Sequence, residues 1–113
     1  MDKKETLLND CLAKSANLDA LIKYSDDSIV SKTLLDKTAG TITLFAFDAG
    51  QQLSEHTAPF DAVIQVIDGS GVVFIDGKRN EVATGELIIM PANIAHSVSA
   101  EEKFKMMLIM IRK

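Results

Sequence analysis

His56 and His96 are the only histidines in a chain of 113 residues. Each closes a segment opened by glycine: Gly50-Gln-Gln-Leu-Ser-Glu-His56 and Gly85-Glu-Leu-Ile-Ile-Met-Pro91-Ala-Asn-Ile-Ala-His96. An imidazole exchanges a proton close to neutral pH and is also the commonest metal ligand. Taken singly, a histidine on a strand is most often a packing residue. Two that face one cavity can do more: anchor a carboxylate or carbonyl, act as a general base, or supply part of a metal's coordination sphere. Two close imidazoles also resist double protonation, because like charges disfavour each other.

Other chemistries find no support in the residue pattern. No glycine-rich phosphate loop or dinucleotide fingerprint occurs. Ser54 and Ser97 lie near the histidines but in no nucleophile-elbow context. Cys11 is the single cysteine, so it forms neither an internal disulfide nor a Cys-x-x-Cys metal pair, and it is expected to pack as a small buried hydrophobe.

Short strands must position the two histidines. Residues 28–35, 40–47, 62–67 and 71–75 are rich in β-branched and aromatic residues and are mostly bounded by Gly, Asp or Pro. Asp76-Gly77 links 71–75 to 79–82 and predicts a two-residue hairpin turn, in which glycine accepts positive φ. Residues 86–90 predict a strand stopped by Pro91, and 103–111 a long closing strand. Phe104, Met106, Leu108 and Met110 share one face of that last strand, and Met107, Ile109 and Ile111 share the other. Apolar residues on both faces imply burial on both sides, one inside the barrel and one against the N-terminal arm or a second chain. The arm is expected to be helical over residues 2–15, with Leu7, Leu8, Cys11 and Leu12 on one stripe. Ser15 or Asn17 would cap a second short helix carrying Leu18, Leu21 and Ile22.

Composition fits one domain with a real core: 47% of residues are apolar and 25% charged. The net charge of −4, with no run of Lys or Arg, argues against a nucleic-acid partner. The longest apolar stretch, 106–111, is too short to span a bilayer, so no membrane partner is expected. The start of the chain is broken by charge and lacks a signal-peptide apolar run, from which a cytoplasmic location is expected.

The two histidine segments together resemble the motifs of the cupin superfamily. The first motif reads Gly, five residues, His-x-His, three or four residues, Glu, six residues, Gly. Gly50, His56 and Gly69 fit it, with Ala58 at the second histidine position and Ala62 at the glutamate position. The second motif reads Gly, five residues, Pro-x-Gly, two residues, His, three residues, Asn. Gly85, Pro91 and His96 fit in register, with Asn93 at the second glycine and Ala100 at the asparagine. The resemblance implies an all-β fold, a double-stranded β-helix or jelly-roll barrel, which with the elements read above would span 28–113 behind a short helical arm at 1–27. It also implies a homodimer, common among small members of the superfamily.

In metal-binding members, three histidines and a glutamate hold a divalent transition metal. Only His56 and His96 remain of that set, and two imidazoles alone bind such an ion weakly. A third ligand would have to come from elsewhere. Glu55 and Gln65 have the wrong alternation to point inward, and Asp61 reaches the mouth only if its loop folds in. No cofactor is firmly implied beyond a weakly held divalent metal. The two alanines would instead open an apolar pocket suited to a small organic ligand. The expected binding residues are His56, His96, Ala58, Ala62, Phe60 as a cover, Asn93 at the mouth, and Met90 in the wall. Leu44, Ile64, Val66 and Met106 are further wall candidates. The leading expectation is a small-molecule-binding protein, with a metal-dependent dioxygenase or isomerase as the alternative and an inert oligomer-forming barrel as the third reading.

Overall fold

The computed structural model describes residues 6–112. Among the described residues, ten strands form two sheets: β1 (Thr6–Leu7), β2 (Ile29–Lys37), β3 (Gly40–Phe47), β4 (Gln52–His56), β5 (Asp61–Asp68), β6 (Ser70–Ile75), β7 (Lys78–Ala83), β8 (Leu87–Met90), β9 (His96–Ser99) and β10 (Phe104–Ile111). The larger sheet runs β1-β2-β3-β10-β5-β8 and the smaller runs β4-β9-β6-β7. All pairings are antiparallel. This is the two-sheet, all-β barrel expected from the short strands and tight turns. The β6–β7 turn is Asp76-Gly77 as predicted, with φ of 52° and 77°, the pair of positive values a two-residue hairpin requires.

One core fills the space between the sheets. Phe47, Ile64, Val66, Val73, Phe104 and Met106 are its largest fully buried side chains. Phe47 and Phe104 stack with ring centroids 4.7 Å apart and planes 7° from parallel. Gly71 makes room for this stack, since a Cβ there would lie 2.5 Å from the Phe104 ring.

A second apolar cluster lies on the outer face of the larger sheet. Ile22, Leu44 and Ala46 are buried in it, with Leu18, Leu21, Tyr24 and Met107 packed around them. This explains the apolar double face of β10. Met106, Leu108 and Met110 point between the sheets, while Met107 points out under the arm. Polar contacts fasten the arm. Buried Lys105 donates to the Asp19 carbonyl at 2.7 Å and to its carboxylate at 2.8 Å. The Tyr24 hydroxyl donates to Asp68 at 2.5 Å, and the Lys103 and Lys105 ammonium groups lie 5.1 and 5.0 Å from the Tyr24 ring centroid.

The arm corrects one expectation. Residues 2–5 lie outside the described residues, and residues 6–15 do not form an α-helix: Thr6–Leu7 pairs with β2, and Asn9–Cys11 makes a single 3-10 turn. Asn9, Asp10, Ser15 and Asn17 compete for backbone hydrogen bonds and are poor helix interiors, so the apolar stripe is overridden. Leu7 and Leu12 are exposed and Cys11 is half-buried. The second helix is reduced to a 3-10 turn at Asp19–Leu21. Asn17 caps it as expected, its side-chain oxygen accepting the Ala20 N–H at 3.1 Å.

Candidate functional site

β4 and β9 are neighbours in the smaller sheet, and His56 and His96 are direct cross-strand partners on them. Their rings meet edge to face, with centroids 4.4 Å apart and planes at 71°. The two Nε2 atoms are 3.1 Å apart. His56 Nδ1 lies 2.7 Å from the Ser54 carbonyl, and His96 Nδ1 lies 3.0 Å from the Ile94 carbonyl. A carbonyl only accepts, so each Nδ1 carries the hydrogen it donates. Both Nε2 lone pairs therefore converge on one point, and their approach is favourable only when a proton or another electrophile lies between them. His96 is buried at 5% exposure, whereas His56 is exposed. The pair thus bridges the barrel interior and solvent.

Beneath the pair lies a small cavity of about 50 Å³. The smaller sheet contributes Leu53, His56, His96 and Val98, and the larger contributes Ala62, Ile64, Met90, Met106, Leu108 and Met110. Ala58 closes one side from the link between β4 and β5. Apart from the two imidazoles, every side chain in this wall is apolar. The volume holds a few water-sized groups, well below the size of a drug-like ligand site.

Of the residues expected at the site, His56, His96, Ala58, Ala62 and Met90 are brought together here, as are the wall candidates Ile64 and Met106. Phe60 is not among them. It lines a separate groove with Pro59, Asp61, Ala92, Ile111 and Arg112. Leu44 faces the arm, and Val66 is buried in the core away from the cavity. Asn93 does not touch the cavity, but it shapes the loop beside it. Its φ is 66°, and its N–H donates to the Ala58 carbonyl at 2.7 Å. Asparagine tolerates this left-handed conformation better than most residues, which suits it to a position where the motif has glycine. Asp61 turns away from the cavity and accepts the Ala92 N–H at 2.8 Å.

Sequence reading missed Leu53 because the β4–β9 register shifts between Leu53 and His56, so simple alternation fails there. Val98 and Leu108 lie two residues from His96 and Met106, and alternation alone would have found them.

The donors do not fit the four-ligand divalent site seen in metal-binding relatives of this fold. Ala58 and Ala62 both face the cavity without a donor atom, and the described residues contain no group of three His, Cys, Asp or Glu able to hold a metal.

Comparison with known proteins agrees with the fold. A cupin domain model matches residues 43–112. A Streptococcus pyogenes protein of unknown function has a crystal structure that superposes with a TM-score of 0.88, at 32% identity over 96% of both chains. A cupin 2 conserved barrel domain protein from Leptotrichia buccalis is 43% identical, with a TM-score of 0.84; the match covers 86% of this chain and 47% of that one. A cupin superfamily protein from Desulfitobacterium hafniense has the same fold at 23% identity, with a TM-score of 0.88 and coverage of 96% and 99%. No curated protein matches the sequence. With the family model covering most of the barrel, and two histidines held where its motifs put them, the chain belongs to the cupin family.

Proposed function

We propose that this cupin binds a small ligand at the mouth of its barrel, held by the His56–His96 pair above an apolar cavity. The observation that carries the reading is the 3.1 Å convergence of two Nε2 atoms whose Nδ1 hydrogens are already committed. With a proton held between the two Nε2 atoms, the pair would present a positive charge above an apolar floor. Such a charge suits a compact molecule with a carboxylate or a polarised carbonyl at one end. The cavity volume limits the buried part to a few non-hydrogen atoms. A thermal-shift screen of small carboxylic and oxo acids tests this. A bound ligand should raise Tm in the wild type and not in His56→Ala, and no response from any such compound would favour the inert barrel.

A second reading is metal binding, and the same imidazole geometry favours it. Metal-ligating histidines almost always donate their other ring N–H to a carbonyl, carboxylate or water, as both do here. It requires a third donor beyond the two histidines.

A homodimer in the cytoplasm belongs to the same proposal. The arm covers only part of the larger sheet's outer face. Leu87, Ile89 and Ile111 stay half-exposed or more. A two-fold contact would let this apolar patch cover itself. Light scattering on the wild type and Ile89→Lys checks it: a dimer that becomes a monomer supports the reading, and a monomeric wild type overturns it. The single unpaired cysteine is in keeping with a reducing compartment. Among the described residues no helix is long and apolar enough to cross a membrane.

A further inference from the structure

Ala62 occupies the place where a carboxylate would otherwise enter the barrel, and its two cross-strand partners are both methionines. Met110 on β10 and Met90 on β8 are the direct register partners of Ala62. Residues opposite each other on adjacent strands share a face, and all three line the cavity with the two histidines. Met106 lines it as well, so three of the chain's five methionines surround this one space. The cavity wall therefore offers two imidazole nitrogens and three thioether sulfurs, with no oxygen donor among its side chains.

This donor set has a definite preference. Thioethers are soft ligands that select Cu(I), whereas carboxylate and water suit hard ions such as Mg, Ca and Mn. Charge points the same way. The cost of burying an ion rises with the square of its charge, and no carboxylate in the wall offsets it. A monovalent ion is therefore much cheaper to place here than a divalent one. The imidazoles are also set for a shared ion. Two nitrogens 3.1 Å apart and each about 2.0–2.1 Å from one ion subtend an angle of about 100° at it. A third donor on the Ala62 side would then complete a three-coordinate site.

We propose that the barrel holds a soft monovalent cation of the Cu(I) type, bound by His56 Nε2, His96 Nε2 and a thioether from Met110 or Met90. The proposal rests on the reading of the paired imidazoles as a ligand site, and it names both the ligand class and the missing third donor. Methionine would thus serve here as ligand in place of the carboxylate.

The test is anaerobic Cu(I) titration against a chromophoric Cu(I) chelator, run beside Zn(II) and Mn(II), with X-ray absorption on the loaded protein. The wild type should take one Cu(I) per chain with sulfur among its nearest neighbours. The Met90→Leu/Met110→Leu variant, whose volume-conserving changes should preserve the fold, should bind Cu(I) at least about 100-fold more weakly. Zn(II) affinity, weak in the wild type, should be the same in that variant. Unchanged Cu(I) affinity in the variant, a first shell without sulfur, or tighter binding of Zn(II) than Cu(I) would overturn the proposal. Failure here is separable from failure of the parent reading. If organic acids stabilise the wild type but not His56→Ala and Cu(I) does not bind, only the soft-metal proposal falls. If nothing binds, both fall.

Discussion

The buried ring of His96 presents its Nε2 to the exposed ring of His56 across two adjacent strands. The two halves of one site therefore carry unequal structural weight. His96→Ala removes a buried side chain and should cost about 1–3 kcal/mol. His56→Ala should cost less than about 1 kcal/mol, because its ring is exposed and its Nδ1 can be replaced by water. Denaturant melts of the two variants check this, and equal losses would show that the pair is not placed as described.

The empty half of the motif can be refilled. Ala58 and Ala62 both face the cavity that His56 and His96 line. Ala58→His combined with Ala62→Glu should restore four donors and bring the divalent metal content close to one ion per chain, read by elemental analysis after dialysis. Metal content unchanged from wild type would mean that the barrel has lost more than the two side chains.

Gly71 lets Phe104 stack on Phe47. Gly71→Ala should therefore destabilise by about 1–3 kcal/mol through overpacking. Adding Phe104→Leu should recover part of that loss, because the two positions share one contact and should not be additive. Additive losses in urea titrations would show that the clash is relieved elsewhere.

Acid stability should depend on Asp48. Its carboxylate accepts the Asp27 N–H at 2.7 Å and the Ala49 N–H at 2.9 Å, and these bonds, the Asp27 bond foremost, hold its pKa below the ordinary carboxylate value. A group whose folded value is depressed contributes stability above its unfolded value, about 3.9, and loses it as pH falls through the folded value. Wild type should thus melt above Asp48→Ala at neutral pH, and the gap should close between about pH 4 and the lower folded value. A gap constant with pH would assign these bonds no role in acid unfolding. The contact also ties the end of the arm, at Asp27 with φ of 53°, to the turn after β3.

Local chemistry made much of this protein legible in advance. Asp76-Gly77 specifies its hairpin because few other pairs accept two positive φ values, and Gly40–Phe47 reads as a strand from its own residues. The spacing of Gly50, His56, Gly85, Pro91 and His96 marks two strand ends that a β-barrel brings together. Other features depend on partners distant in sequence. Leu7 and Leu8 follow a helical stripe, yet pairing with β2 draws Thr6–Leu7 into a strand, since an open sheet edge offers hydrogen bonds that a short polar-rich helix cannot match. Phe60 reads as a cover and instead lines a separate groove beside Asp61 and Arg112. Alternation puts Met90 and Met110 on inward faces. Only the register of β8, β5 and β10 sets them on either side of Ala62. The chain by itself determined which residues can face inward, because alternation is a local property of the backbone. Which of them meet was decided by strand pairing, because register is settled by packing across the whole sheet.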